Sequence, residues 1–263
     1  MAEQFLRRVE EGHDAVADKL VDRTAVAGDG SGHQLEIAAH SADQAIRVHT
    51  LGDRREIGDI GEIDRQAADF PAEIAVVISN WADAGGLAKA AARGVPSRTI
   101  ESKPFGKDRA AFEAVLQAAL DEYQIDLICL GGFMRLFTAD FVQRWRGRML
   151  NIHPSLLPTF PGLDPHGQAL SAGVKISGAT VHFVIPETDA GPIVMQGAVA
   201  VGDDDTPDTL AARILEIEHR IYPDALRLLA SGRIRLEGDI CKTTGGAGPT
   251  GTLISPATTP RDI

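Results

Sequence analysis

Hydrophobic positions fall into a regular rhythm from about residue 73 to residue 236. The run AEIAVVISN is short, apolar and β-branched and closes at Asn80, the pattern of a strand buried on both faces. DAGGLAKAAARGV follows, with Asp83 as N-cap and Gly94 as stop, and predicts a helix. VPSRTI predicts a second strand, DRAAFEAVLQAALDEY an amphipathic helix, and IDLICLGGFM a strand running into a glycine pair. TADFVQRWRG predicts a short helix capped by Thr138, and GRMLNIHP a further strand. ATVHFVIP and IVMQGAVAV predict a hairpin-like pair. TPDTLAARILEIEHRIYPDALRLLASG predicts a long helix, kinked or broken at Pro223 because proline removes a helical hydrogen bond. Strands alternating with helices at this spacing predict an α/β fold, with a mostly parallel central sheet and helices on both faces.

The two ends lack this rhythm. Residues 1–70 suggest a helix around 3–20 but contain no run comparable to IAVVIS. They carry His13, His33, His40 and His49, at spacings that match no metal-ligand motif, so these read as solvated histidines. From Asp239 onward, DICKTTGGAGPTGTLISPATTPRDI is rich in Gly, Thr and Pro and predicts a largely disordered tail.

Composition narrows the class without changing the fold. A net charge of −11 argues against a nucleic-acid footprint, which is normally basic. The two cysteines, Cys129 and Cys241, make no disulfide framework. Cys129 lies in the apolar run LICL as a reduced, buried thiol, which fits a cytoplasmic setting. The N-terminus MAEQFLRRVEEGHD has no apolar core of a signal peptide. No stretch approaches the roughly 18 continuous apolar residues of a membrane span. The expectation is a soluble protein with no nucleic-acid or membrane partner.

Candidate chemistry centres on NIHPSLLP, residues 151–158. On a strand, Asn151 and His153 share one face while Leu150 and Ile152 take the other, and burying an amide and an imidazole is costly unless both are paired. Both stand at the carboxyl end of their strand, where parallel sheets bind ligands. Asp189, in the polar turn VIPETDAGP, is placed to reach back over that edge. An amide, an imidazole and a carboxylate together suit acyl transfer: two groups hold an oxyanion and the carboxylate assists proton movement. The competing reading is that Asn151 and His153 only satisfy backbone groups at a strand end. No G-x-S-x-G turn is present and no cysteine lies beside a base, which disfavours a covalent nucleophile. GDGSG at 28–32 reads as a surface turn. GGFMR at 131–135 fits either a ligand approach or a tight turn, and Glu218 and His219 read as helix surface.

From about Asp69 to Gly238 the chain resembles the phosphoribosylglycinamide formyltransferase family. The matching stretches are VVISN followed by ADAGGL, then GGFMRLF, GRMLNIHPSLLPTFPGL, VHFV followed by PETDAGPI, and EHRIYP, in the family's order and spacing. The resemblance implies a Rossmann-like formyltransferase domain at 69–238, an atypical segment at 1–68 and a flexible tail at 239–263. It implies formyl transfer from 10-formyltetrahydrofolate, a co-substrate, to the amine of glycinamide ribonucleotide, in a cytoplasmic monomer or homodimer that uses no metal. Asn151, His153 and Asp189 match the catalytic trio. Arg109, Met134, Arg135, Leu136, Phe137, Val184 and Thr188 match folate-site positions. Pro154 and Glu218 match substrate-site positions, and His182 a supporting histidine. The alternatives are a formyltetrahydrofolate deformylase, another formyltransferase, or a folate-binding remnant.

The N-terminus departs from the family pattern. The family opens with a strand leading into a glycine-serine-asparagine loop that cradles the substrate phosphate. Counting back from VVISN places that loop near 52–57, which reads GDRREI with no apolar strand before it. The match resumes abruptly at ADFPAEI, as a change of reading frame or a misassigned start would produce.

Overall fold

The computed structural model describes residues 46–52 by backbone path, residues 70–245 in full, and positions 253 and 255. The helix expected around 3–20, the GDGSG turn, the GDRREI stretch beyond Gly52 and most of the tail past residue 245 lie outside the described residues.

Nine strands and five α-helices occur among the described residues. β1 is Ile46–Gly52, β2 Ala72–Ser79, β3 Ser97–Thr99, β4 Leu127–Gly131 and β5 Met149–His153. β6 is Ile176–Phe183, β7 Ile193–Ala200, β8 Ile234–Glu237 and β9 Ile240–Thr243. The helices are α1 (Gly85–Ala92), α2 (Arg109–Glu122), α3 (Ala139–Arg144), α4 (Pro165–Ser171) and α5 (Pro207–Ala230). The main sheet has the order β3-β2-β1-β4-β5-β6-β7. β3, β2, β1, β4 and β5 run parallel, whereas β5–β6 and β6–β7 pair antiparallel. The order turns back at β1, which pairs with both β2 and β4, and such reversals open a crevice at the carboxyl ends of the strands.

β1 corrects the sequence reading, which places no strand before β2. Ile46–Gly52 pairs with β2 on one side and β4 on the other, so the central sheet begins upstream of residue 69. The segment IRVHTLG escapes a search for apolar runs because Arg47, His49 and Thr50 interrupt it. Strand pairing uses backbone groups, and tertiary context outweighs the side-chain pattern.

The other strands follow their patterns. In β4, Leu127 and Cys129 pack into one apolar cluster while Ile128 and Leu130 pack into the other, as period-two alternation in a sheet covered on both faces requires. One cluster sets Leu150, Val181 and Phe183 against Leu210, Ile214 and Leu226 of α5. The other sets Val76, Ile78 and Met149 against Phe112, Leu116 and Leu120 of α2 and Phe141 of α3. Each such side chain contributes about 1.5–3 kcal/mol on full burial.

Helix boundaries reward local chemistry. Asp108 caps α2 by accepting from Ala111 N (2.9 Å), and Thr138 caps α3 by accepting from Phe141 N (3.3 Å). The expected Asp83 cap does not form. α1 starts after Ala84, with no side-chain cap, and ends before Gly94 at φ 69°. α5 runs unbroken through Pro223 for 24 residues. Its buried face, including Leu210, Ile214, Ala225 and Leu226, outweighs the roughly 3 kcal/mol that an interior proline costs. Tyr222 also ties it to the sheet, its hydroxyl donating toward Leu130 O (2.8 Å) with Leu150 O at 3.2 Å. β8 and β9 form a hairpin across residue 239, where disorder was expected. Its two-residue loop opens with Gly238 at φ 63°, a conformation that favours glycine.

Candidate active site

The alternation predicted for NIHP holds in β5. Leu150 and Ile152 pack toward the α5 cluster, whereas Met149 packs toward α2 and α3. Asn151 and His153 line a cleft of about 320 Å³ at the carboxyl ends of β4 and β5. Asp189 reaches the same cleft from the loop joining β6 and β7. That loop depends on Gly191, because a Cβ there would lie 1.8 Å from the carbonyl oxygen of Phe183.

The hydrogen-bond pattern fixes donors and acceptors around this cleft. His182 stands opposite Asn151 in the β5–β6 ladder, and its Nδ1 is 3.0 Å from the carbonyl oxygen of Phe183. A carbonyl only accepts, so Nδ1 carries the proton and donates it. Burial pushes the pKa of His182 down, with the carbonyl bond and Asp189 opposing and His153 adding to the fall. The ring is therefore neutral near pH 7, its Nε2 accepts, and Asn151 must present Nδ2 to it (3.2 Å). One N–H of the Asn151 amide is spent on His182 and the second remains for a ligand oxygen.

The same logic applies to His153. Its Nε2 donates to the carbonyl oxygen of Phe160 (3.0 Å), and its Nδ1 faces Asp189 Oδ2 at 3.6 Å. That carboxylate oxygen also accepts from Gly162 N (2.7 Å). The side chains of His153 and Asp189 are 8% and 10% exposed, so a proton on Nδ1 makes an ion pair shielded from water. Phe160 and Asp189 both hold φ 54°, in the left-handed region that L-residues rarely adopt. Non-glycine residues there cost on the order of 1–3 kcal/mol, and such strain clusters at functional sites.

Around this centre, Met134, Arg135, Leu136 and Phe137 form one wall of the cleft, and Val184 to Thr188 form the wall facing it. Gly132, at φ 63°, turns the chain from β4 into the first wall and itself lines the cleft. Pro154 and His182 line it as well. Arg109 and Glu218 do not. Arg109 is the first residue of α2, and Glu218 lies on α5 one turn before Tyr222. Glu218 is 8% exposed, which overturns its reading as helix surface.

Sequence reasoning missed Asp164 and His166. Asp164 caps α4, a helix not anticipated, by accepting from Gly167 N (3.1 Å). The Asp-Pro pair that opens α4 is a helix-start signal that could have revealed it. His166 lines the cleft and its Nε2 is buried without a partner. Burial pushes its pKa down, against the pull of Asp164 and with a contribution from His153.

The formyl transferase family profile matches residues 58–226. The chain is 37% identical over 214 residues to phosphoribosylglycinamide formyltransferase of Haemophilus influenzae, covering 81% of this chain and 96% of that protein. It is 50% identical over 175 residues to the bovine trifunctional purine biosynthetic protein adenosine-3, covering 66% of this chain but 17% of that protein. The crystal structure of glycinamide ribonucleotide transformylase 1 from Symbiobacterium toebii superposes with a TM-score of 0.72 at 42% identity, covering 81% of this chain and 99% of that one. The chain belongs to the formyl transferase family, among its phosphoribosylglycinamide formyltransferases.

Proposed function

We propose that this protein transfers the formyl group of 10-formyltetrahydrofolate to the amine of glycinamide ribonucleotide, a step of purine biosynthesis. The observation that carries the reading is the convergence of Asn151, His153 and Asp189 on one cleft, with a free N–H of Asn151 assigned by His182. The amine lone pair attacks the formyl carbon, a C–N bond forms, and the formyl oxygen becomes an oxyanion. The second N–H of Asn151 and the Nδ1–H of His153 hold that oxygen. Nδ1 serves because Nε2 is committed to Phe160, while Nδ1 stands 3.6 Å from Asp189, beyond close hydrogen-bond distance. Asp189 takes the proton released by the attacking nitrogen. The intermediate collapses by breaking the bond to the folate nitrogen, which leaves with the proton that Asp189 gives back.

Met134 to Phe137, Val184 and Thr188 enclose the folate, and Pro154 borders the amine side. Arg109 lies toward the folate and Glu218 toward the amine substrate, as the family resemblance implies. The reaction is carried out in the cytoplasm by a monomer or homodimer.

The test supplies both substrates to the full chain and follows two products, formylated glycinamide ribonucleotide and free formate. Amine-dependent formylation supports the reading. Release of formate with no dependence on the amine identifies a deformylase and overturns it, and folate binding without turnover identifies a remnant.

A further inference from the structure

The wall from Gly132 to Phe137 has no regular secondary structure, yet it lines the cleft along much of its length. Its apolar support is a run of rings. Phe133 stacks on Phe112 of α2 (centroids 6.4 Å apart) and on Phe137 (5.0 Å), and Phe137 stacks on Phe141 of α3 (4.7 Å). Arg135 places its guanidinium 5.6 Å from the Phe112 ring centroid and donates to Gly106 O (3.0 Å).

Stacked rings can slide, and one polar contact pins the end of the wall. Glu113 is only 6% exposed and occupies the buried stripe of α2 with Phe112 and Leu116, where an apolar residue is the usual occupant. Both of its oxygens go to one residue: Oε1 accepts from Thr138 N (2.5 Å) and Oε2 from the Thr138 hydroxyl (2.5 Å). Thr138 follows Phe137 directly and caps α3, its hydroxyl oxygen accepting from Phe141 N. Burial pushes the carboxyl of Glu113 up, against the two Thr138 bonds and Arg109, with Asp140 adding to the rise. A buried carboxylate is expensive, and here it fastens the junction of wall and helix from outside the cleft.

We propose that Glu113 is a positioning residue, which holds the Met134–Phe137 wall in register through Thr138 and so sets affinity for the folate. The proposal rests on the reading that this wall encloses the folate. It acts on one substrate only, because Asn151, His153 and Asp189 are held by β5, β6 and the Phe160 and Gly162 contacts rather than by α2.

The test compares Glu113→Ala, Thr138→Val and Thr138→Ser with the unaltered full chain, by steady-state kinetics and by calorimetric titration with tetrahydrofolate. Glu113→Ala and Thr138→Val should each raise KM for 10-formyltetrahydrofolate and Kd for tetrahydrofolate by about 5- to 20-fold, as loss of one charge-assisted contact implies. In both, kcat and KM for the amine should stay within about twofold, a split that simple loss of folded protein does not produce. Thr138→Ser, which keeps the hydroxyl, should restore tight binding. Combining Glu113→Ala with Thr138→Val should add little to either alone. Unchanged folate constants in the variants, or equal losses in both KM values and kcat, overturn the proposal. Failure of the unaltered chain to bind tetrahydrofolate overturns the functional reading itself, and this proposal with it.

Discussion

At the residue scale, the reactive atoms are assigned by their neighbours. Asn151 offers an N–H to the cleft only because His182 is neutral and accepts through Nε2. On the proposed mechanism Asn151→Ala removes an oxyanion donor, and it should lower kcat by about 10²–10³ with thermal stability nearly unchanged. Asp189→Asn should lower kcat at least as far, since on that mechanism it removes the group that takes the amine proton. Steady-state rates near those of the unaltered chain in either variant exclude the assigned roles. His182 adds a pH dependence. Its pKa lies below the ordinary 6.5, so its contribution is complete above 6.5 and is lost as pH falls through the lowered value. Once charged, the ring donates at Nε2 and drives Asn151 to turn its carbonyl toward it. The pH profile of kcat should therefore fall on the acid side, and His182→Gln should flatten that limb while lowering the plateau by about tenfold.

At the element scale, the cleft is built from segments between strands and helices. The loop carrying Asp189 bends sharply enough that Gly191 admits no side chain. Gly191→Ala must push that loop from Phe183 O, and a shift near 1 Å at Asp189 should cost about 10²-fold in kcat/KM. Substrate titration by calorimetry should show binding far less affected than turnover. These elements were unequally legible in the sequence. β2 and β4 announce themselves because their apolar runs are continuous and buried, and β5 by its apolar residues alternating with Asn151 and His153. β1 does not, because Arg47 and His49 stand where such a run needs apolar residues. α4 was missed because it is 7 residues long, too short for a periodic stripe. The β8–β9 hairpin was missed because four-residue strands carry almost no pattern and only their pairing stabilises them.

At the scale of the whole molecule, α5 joins the core it shares with β6 to the strands that carry the site. Its face packs on β6 and β7, and Tyr222 reaches the carbonyls of Leu130, near the end of β4, and Leu150, near the start of β5. Its N-terminal end is secured by Asp205, which accepts from Arg213 at two positions (2.8 and 2.9 Å) and from Gly202 N (2.7 Å). These bonds hold the Asp205 carboxyl far below its ordinary 3.8, so its contribution is present above that value and disappears as pH falls through the lowered one. Asp205→Asn should lower Tm by about 2–4 °C near neutral pH, with the difference shrinking as the pH falls well below 4. A constant difference across that window would exclude the ion pair as its source.

The alternating α/β order, the double-sided burial of the central strands, and the placement of Asn151 with His153 on one strand face are all legible in the chain's own pattern. Those properties follow from period and composition, which act between near neighbours. The folded arrangement was needed to reveal that β1 completes the sheet and that α5 passes intact through Pro223. It also decided that Asp189 meets His153 across the 36 residues separating them in the chain. Each is a contact between distant segments, where backbone pairing and shared burial outweigh what local pattern can express.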